Sequence, residues 1–356
     1  MEKLAIAVVG PGLIGTKHIA LINQSQTCFL AALVAPDHAH DHEIARKLGV
    51  PLYHRLEDLL AARHIDGVII CSPNIFHVEQ ARVCIEADVA VLVEKPIAHT
   101  VEEGMGLLAL VEKKSARLIV GHHRAHSPIM AGARRIVQSG ALGRPVAIMG
   151  SALFYKPADY FEAGPWRTEP GGGPILINLI HEISNFRLLC GEITAVQAMS
   201  SNAIRQFAVE DTVAMTFQFA NGALGTFLLS DTASCARSWE QTSGENPAFA
   251  AYPDEDCYTV TGTEGSLAIP TMRLQKYPVR GMQSWLRPFE TQTIAVERAD
   301  PLACQLAHFV NLIRGSELPV VSAFDGLQNL RVAEAIKASA TSRKMMYLDD
   351  LTSTRA

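Results

Sequence analysis

Leu4-Ala-Ile-Ala-Val-Val-Gly10-Pro-Gly12-Leu-Ile-Gly15 decides the fold. Its first six residues form an unbroken apolar run, as expected of a strand buried on both faces of a parallel sheet. A G-x-G-x-x-G pattern follows at once and leads into a helix expected over residues 16–24. Strand, glycine loop and helix in that order are the context that makes the pattern a dinucleotide-binding loop. Gly10 permits the tight turn, Gly12 lets the backbone approach a pyrophosphate, and Gly15 allows helix and strand to pack closely. Leu13 and Ile14 lie between them, where amides at the helix start would hold the phosphates.

Outward from that loop the chain alternates strand and helix. A second strand is expected over 29–34. The acidic residue that normally takes the ribose hydroxyls would stand near position 35, which is Ala35, with Asp37 two residues on. No Arg follows closely enough to form a 2′-phosphate pocket, so NAD is expected, with NADP still admitted. The run Asp37-His38-Ala-His40-Asp41-His42-Glu43 reads as a solvated turn before a helix over 43–48, and no metal site is expected there. A helical segment follows over 56–61. A strand over 67–71 then ends in Ser72-Pro73-Asn74-Ile-Phe76-His77, and a helix spans 78–87. The strand over 89–93 runs straight into Glu94-Lys95-Pro96. Ligands bind at the carboxyl ends of strands in a doubly wound sheet, so a lysine placed there is a functional candidate. Thr100 with Glu103 three residues later is a capping box opening a helix to residue 113. A strand over 117–120 closes the series, giving a first domain over 1–121.

The pattern changes after Pro128. A helix over 129–139 stops at Gly140. Strands then dominate, at 146–154, 212–220, 223–230, 258–262 and 266–269. Asn221-Gly222 and Thr263-Glu-Gly265 supply the hairpin turns. The second domain, over 122–356, is therefore expected to be α+β with a large, open, mostly antiparallel sheet. Residues 237–256 read as a long polar loop near the cleft or at a subunit contact. Asp300-Pro301 opens a helix that stops at Gly315, and a last helix covers 326–342.

Three motifs in this order, the glycine loop, Glu94-Lys95-Pro96 and Gly171-Gly172-Gly173 leading to Asn178 and His181, resemble the glucose–fructose oxidoreductase/inositol dehydrogenase/MocA family. The resemblance implies a Rossmann domain followed by an α+β domain, a nicotinamide cofactor, and hydride transfer at a secondary alcohol or ketone carbon. The substrate would be a sugar, polyol, hydroxy acid or other cyclic hydroxy compound. It implies that Lys95 and His181 are catalytic, meeting in the cleft between domains. Ser72, Pro73, Asn74 and His77 would lie beside the nicotinamide ribose, with His77 taking no chemical part. Glu94 and Lys95 would border the cofactor, and Asp37 would be the group nearest the ribose. His123 and Arg124 would face the substrate, although a position often basic in the family is Ala125 here. Asn178 stands where the family usually has Asp, and shares one helix face with His181 through its i, i+3 spacing. Trp166 and Arg167 would either shape the substrate pocket or form a structural stack. Relatives that oxidise only transiently, as lyases or glycosidases, and relatives that only sense the cofactor are the other classes. The presence of both Lys95 and His181 argues against the sensor.

Composition sets the remaining limits. With 48% hydrophobic and 19% charged residues the 356-residue chain supports two cores, and its net charge of -5 speaks against nucleic acid as a partner. Seven scattered cysteines without a C-x-x-C pattern suit reduced thiols in the cytoplasm. No signal-peptide pattern or membrane-length apolar run is present. Apolar and small residues on both faces of the strands over 212–230 predict a homodimer or homotetramer built on that sheet.

Overall fold

The computed structural model describes residues 2–279 and 281–348; Met1, Arg280 and residues 349–356 lie outside the described residues. In chain order the first elements are β1 (Leu4–Val9), α1 (Leu13–Gln24), β2 (Cys28–Val34), α2 (Ala39–Leu48), β3 (Leu52–Tyr53), α3 (Leu56–Ala62), β4 (Gly67–Ile70), α4 (His77–Glu86), β5 (Ala90–Glu94), α5 (Val101–Lys114) and β6 (Leu118–Gly121). There follow α6 (Pro128–Gln138), β7 (Pro145–Tyr155), α7 (Ala158–Glu162), α8 (Ile180–Cys190), β8 (Ile193–Ser201), β9 (Thr212–Phe219), β10 (Leu224–Ser230), β11 (Thr232–Arg237), α9 (Trp239–Ser243), β12 (Tyr258–Gly262) and β13 (Gly265–Ile269). The chain continues through β14 (Arg273–Lys276), β15 (Glu290–Thr293), α10 (Pro301–Ile313), α11 (Ala323–Ser342) and β16 (Met346–Tyr347).

Two compact units result. The first combines Met1–His126 with Pro301–Leu330, and the second combines Ser127–Asp300 with Arg331–Ala356. Thus residues 301–330, expected with the second domain, return to the first. The reason lies in apolar surface. Leu306, Phe309, Val310 and Ile313 on α10 join Ile6, Val8, Leu33, Ile69 and Leu92 of the sheet in one buried cluster. Gly67 admits the helix, because a Cβ there would sit 2.7 Å from Ile313 and 2.9 Å from Phe309.

The first unit's six strands are ordered β3-β2-β1-β4-β5-β6, and every pair is parallel. This is the doubly wound order, which places ligands at the carboxyl ends where the order reverses between β1 and β4. The capping box holds: Thr100 accepts from the Glu103 amide, and Glu103 accepts from the Thr100 amide. Helix α2 starts four residues earlier than expected. His40, Asp41 and His42 form its first turn rather than a loop, with Asp41 complementing the helix dipole.

The second unit is built on a ten-stranded sheet ordered β15-β14-β13-β12-β7-β10-β9-β8-β16, with β11 on β7. It is antiparallel except for the parallel β7–β10 pair. Along β9, Val213, Met215, Phe217 and Phe219 are buried, while Ala214, Thr216 and Gln218 face out. Phe186 of α8 anchors the covered face, meeting the rings of Phe217, Phe227 and Tyr258 edge-on at 5.4–5.7 Å. The stretch expected as a polar loop over 237–256 is corrected in part. It folds into the short helix α9, which buries Trp239 against Tyr258 at 5.7 Å. Burying the indole removes a large apolar surface from water.

Candidate active site

In the first unit, turns at the carboxyl ends of β1, β4 and β5 supply the groups. The three loop glycines do different work. Gly10 has φ +81, and a Cβ there would lie 2.9 Å from the Ser72 amide. Gly15 cannot take a side chain because its Cβ would collide with the Gly10 carbonyl. Gly12 has nothing within 4 Å, so its backbone stands open to a ligand at the start of α1. Leu13 is exposed, Ile14 is half-buried, and the first turn of α1 carries no acidic side chain to compete with a phosphate. These features fit a dinucleotide pyrophosphate.

At the end of β2, Ala35 is buried and Asp37 is exposed. His42 Nε2 lies 2.7 Å from Asp37 Oδ1, and His54 Nε2 lies 3.9 Å from the same oxygen. The His42 hydrogen bond, with the nearby His54, lowers the carboxyl's pKa. His54, not singled out from the sequence, arrives because β3 returns beside β2. The three ligand atoms fall within 4.8 Å of one another on an exposed surface.

The turn after β4 is pinned from behind. Ser72 Oγ donates to Gln80, and residues 74–76 form a single 3-10 turn led by Pro73, with Asn74 first. His77 is 1% exposed, and its two ring nitrogens lie 2.8 Å from the carbonyls of Ser72 and Pro96. Burial lowers its pKa against the opposing effect of those carbonyls. Its ring is thus committed to joining two turns, which one residue in sequence could not announce.

The Lys95–Pro96 peptide is cis. Burial lowers the Lys95 pKa to about 8; Glu94 opposes this and Arg124 adds to it. Glu94 is itself buried, with Oε1 3.0 Å from His18 Nε2 and Oε2 accepting the Lys95 amide at 3.3 Å. Burial raises its pKa, but the His18 hydrogen bond and the charges of His18, His123 and Lys95 outweigh it, so the net shift is downward. Strand pairing sets Gly121 opposite Glu94, and a Cβ there would lie 2.8 Å from the carboxyl carbon. Arg124 is buried and His123 half-buried in the turn that follows. The first unit therefore gathers Glu94, Lys95, His123 and Arg124 with the unlooked-for His18.

The second unit carries the other candidates. Gly171 and Gly173 take φ +99 and +80. The expected regular helix instead starts as a π-turn, Ile175–Leu179, before α8. Single π-turns of this kind cluster at functional sites. The wider turn alters the simple i, i+3 alignment of Asn178 with His181, which is buried. Glu210 caps the segment by accepting the Ile175 amide at 3.0 Å. Asn178 Oδ1 accepts from Lys156 Nζ at 2.8 Å, and Lys156 lies 3.6 Å from Asp231, which also pairs with Arg205 at 2.8 Å. Because an ammonium only donates, the Asn178 amide must turn its Nδ2 donors the other way. Sequence reading missed Lys156, which lies in an otherwise ordinary strand-end stretch. Arg167 is buried, donates to the Tyr160 carbonyl, and stacks 4.0 Å over the Tyr160 ring and 5.6 Å over Trp166. That is the structural stack, with Trp166 still largely exposed. Glu182 accepts from Tyr258 and faces the core.

Comparison with known proteins agrees with this geometry. A family model described as "Oxidoreductase family, NAD-binding Rossmann fold" matches residues 4–122, and one described as "GFO/IDH/MocA C-terminal domain" matches residues 130–268. The chain is 27% identical over 291 residues to a 1,5-anhydro-D-fructose reductase of Ensifer adhaerens, covering 81% of each. It is 26% identical to the scyllo-inositol 2-dehydrogenase (NAD(+)) of Bacillus subtilis, over 98% of this chain and 97% of the other. A crystal structure of an oxidoreductase from Agrobacterium radiobacter, in complex with NAD+, L-tartaric acid and magnesium, superposes with a TM-score of 0.80 at 17% identity, over 97% of this chain and 98% of that one. The chain belongs to the glucose–fructose oxidoreductase/inositol dehydrogenase/MocA family, and is an NAD(P)-dependent oxidoreductase acting on CH–OH groups.

Proposed function

We propose that the protein interconverts a secondary alcohol and a ketone on a sugar, polyol or cyclic hydroxy compound, with Lys95 and His181 as the acid/base pair. The observation that carries this is the placement of Lys95 at the carboxyl end of β5 beside the buried Glu94, which accepts its amide, where desolvation lowers the lysine pKa to about 8. A group that exchanges a hydroxyl proton works best with a pKa near the working pH. Bound nicotinamide would supply the hydride chemistry. In the oxidative direction Lys95 takes the hydroxyl proton, and His181 shares or relays it. Asn178, its oxygen engaged by Lys156, offers amide donors to substrate oxygens. Arg124 and His123 add polar contacts, and Trp166 an aromatic wall. Gly10, Gly12, Leu13, Ile14 and Gly15 hold the pyrophosphate, while Ser72, Pro73 and Asn74 border the ribose and His77 keeps their turn in place. With Asp37 at the adenosine end, NAD is preferred and NADP is used less well. The first unit serves the cofactor and the second the substrate.

The working form is a homodimer or homotetramer in the cytoplasm. Met149, Met199, Leu224 and Leu228 stand exposed on the second unit's sheet, where Met149, Met199 and Leu228 help line a groove of about 620 Å³. A second copy of the sheet would cover that apolar surface. All seven cysteines are free thiols, and no helix among the described residues is long and apolar enough to cross a membrane.

A screen of polyols, sugars and ring hydroxy acids, read as the absorbance of reduced nicotinamide, tests the reaction. Steady formation of reduced cofactor in step with substrate consumption is expected. Turnover that needs only catalytic NAD would replace the dehydrogenase with a redox-neutral lyase or glycosidase.

A further inference from the structure

His18 lies at the inner face of α1, six residues after Gly12, and is fully buried. Its Nε2 lies 3.0 Å from Glu94 Oε1, at hydrogen-bond distance. An ionised carboxylate only accepts, so Nε2 carries the hydrogen and donates. Nδ1 has no hydrogen-bond partner among the described residues. The arrangement is not one of surface chance. Gly121 lies opposite Glu94 in the sheet, and any Cβ at that position would press on the carboxyl group. The groups facing the carboxylate come from several elements: His18 on α1, Cys71 after β4, His77 at the start of α4, Lys95 on its own turn, and His123 in the turn after β6. Arg124, from that same turn, acts on Lys95.

We propose that His18 and Glu94 are positioning residues for Lys95: the imidazole keeps the carboxylate ionised and fixed beside the lysine turn, and the carboxylate sets how readily Lys95 takes and returns a proton. The inference rests on the reading of Lys95 as the acid/base group, and gives that reading its control. It also ties the lysine to the helix that begins at the glycine loop, since α1 carries His18. A buried ammonium beside an anion keeps its proton to higher pH than one without it. Removing the anion therefore lowers the pH at which Lys95 loses its proton. Removing the imidazole donor leaves the carboxylate short of its partner and favours its neutral form, which moves Lys95 in the same direction by less.

Two measurements on the full chain test this, one independent of turnover. The first is an NMR titration of the lysines after reductive ¹³C-methylation, with the Lys95 signal assigned from its absence in Lys95→Arg. In Glu94→Gln the Lys95 midpoint is expected about 1–3 pH units lower. His18→Leu should lower it by a smaller amount, and His18→Gln, which keeps an amide donor, should restore much of the difference. The second is the pH profile of kcat/KM in the oxidative direction, whose acidic limb should move to lower pH by matching amounts. An unmoved Lys95 midpoint in Glu94→Gln overturns the proposal, as does a His18→Gln profile no closer to the parent than His18→Leu. If the midpoint moves as expected but the rate profile does not follow, the positioning stands and the catalytic role of Lys95 falls. A merely structural His18 would change the melting temperature and leave both midpoints where they are.

Discussion

Each unit sets a glycine beside a desolvated carboxylate, Glu94 buried and Glu210 half-buried, and their pKa values shift in opposite directions. In the first unit Gly121 makes room for Glu94, and in the second Gly173 makes room for Glu210, whose oxygen would lie 2.7 Å from a Cβ at that position. Glu94 faces a hydrogen-bonded His18 and a lysine, and its pKa falls. Glu210 is also desolvated, and although it accepts the Ile175 amide and lies near Lys337, Asp231 lies near it too; its pKa rises. The same steric device therefore yields opposite charge preferences. What decides between them is the sign of the neighbouring groups, since burial acts alike on both.

The largest effect should come from the lysine that the first carboxylate serves. Lys95→Met is expected to lower kcat by about 10²–10⁴-fold, the usual scale of acid–base catalysis, while NAD affinity measured by calorimetry changes little. A near-parental kcat would break the link between Glu94 and chemistry. His181→Asn should cost less and flatten the acidic limb of the pH–rate profile.

Next come the glycines. Gly173 has φ +80, so Gly173→Ala meets both backbone strain and the Glu210 carboxylate, and should cost about 2–4 kcal/mol in urea unfolding. Gly121 lies in a regular strand without positive φ, so Gly121→Ala meets only steric contact, with the Glu94 carboxyl and Cα, and should cost about 1–3 kcal/mol. Equal costs would remove the backbone part of the distinction.

Smallest, and most direct, are the carboxylates. A depressed folded pKa stabilises the fold above the unfolded value and loses that stability as pH falls through the folded one; Glu94 is such a group. Glu210 is the reverse: its contribution is full below the unfolded value and is lost as pH rises through the raised folded one. Unfolding followed from about pH 3 upward should show Glu94→Gln losing ground to the parent as pH rises, and Glu210→Gln gaining it. Parallel trends would abolish the contrast.

The same contrast explains what could be read from the sequence. The glycine loop, the Lys95 turn and the Thr100 capping box depend on residues within a few positions of one another, and all three formed as spacing required. The strand order of the first sheet follows from the alternation of strand and helix. Groups delivered from far along the chain were not legible. His18 meets Glu94 across 76 residues, Lys156 meets Asn178 across 22, and α10 returns from residue 301 because its apolar stripe fits a sheet made far earlier. The π-turn at Ile175–Leu179 was hidden for a different reason, since the one-residue widening of a helix leaves no mark in hydrophobic periodicity.

The return of residues 301–330 has a consequence for how the protein is made. The first unit's sheet cannot bury the apolar face that α10 covers until synthesis has run about 200 residues past His126. At translation rates of about 5–20 residues per second, that is a delay on the order of 10–40 s. During that interval the nascent sheet carries an uncovered hydrophobic surface on the ribosome, which is a natural point of capture for a chaperone. A fragment ending at residue 126 would hold that surface open permanently. The sheet of the first unit thus precedes the second unit's sheet in the chain and is finished after it.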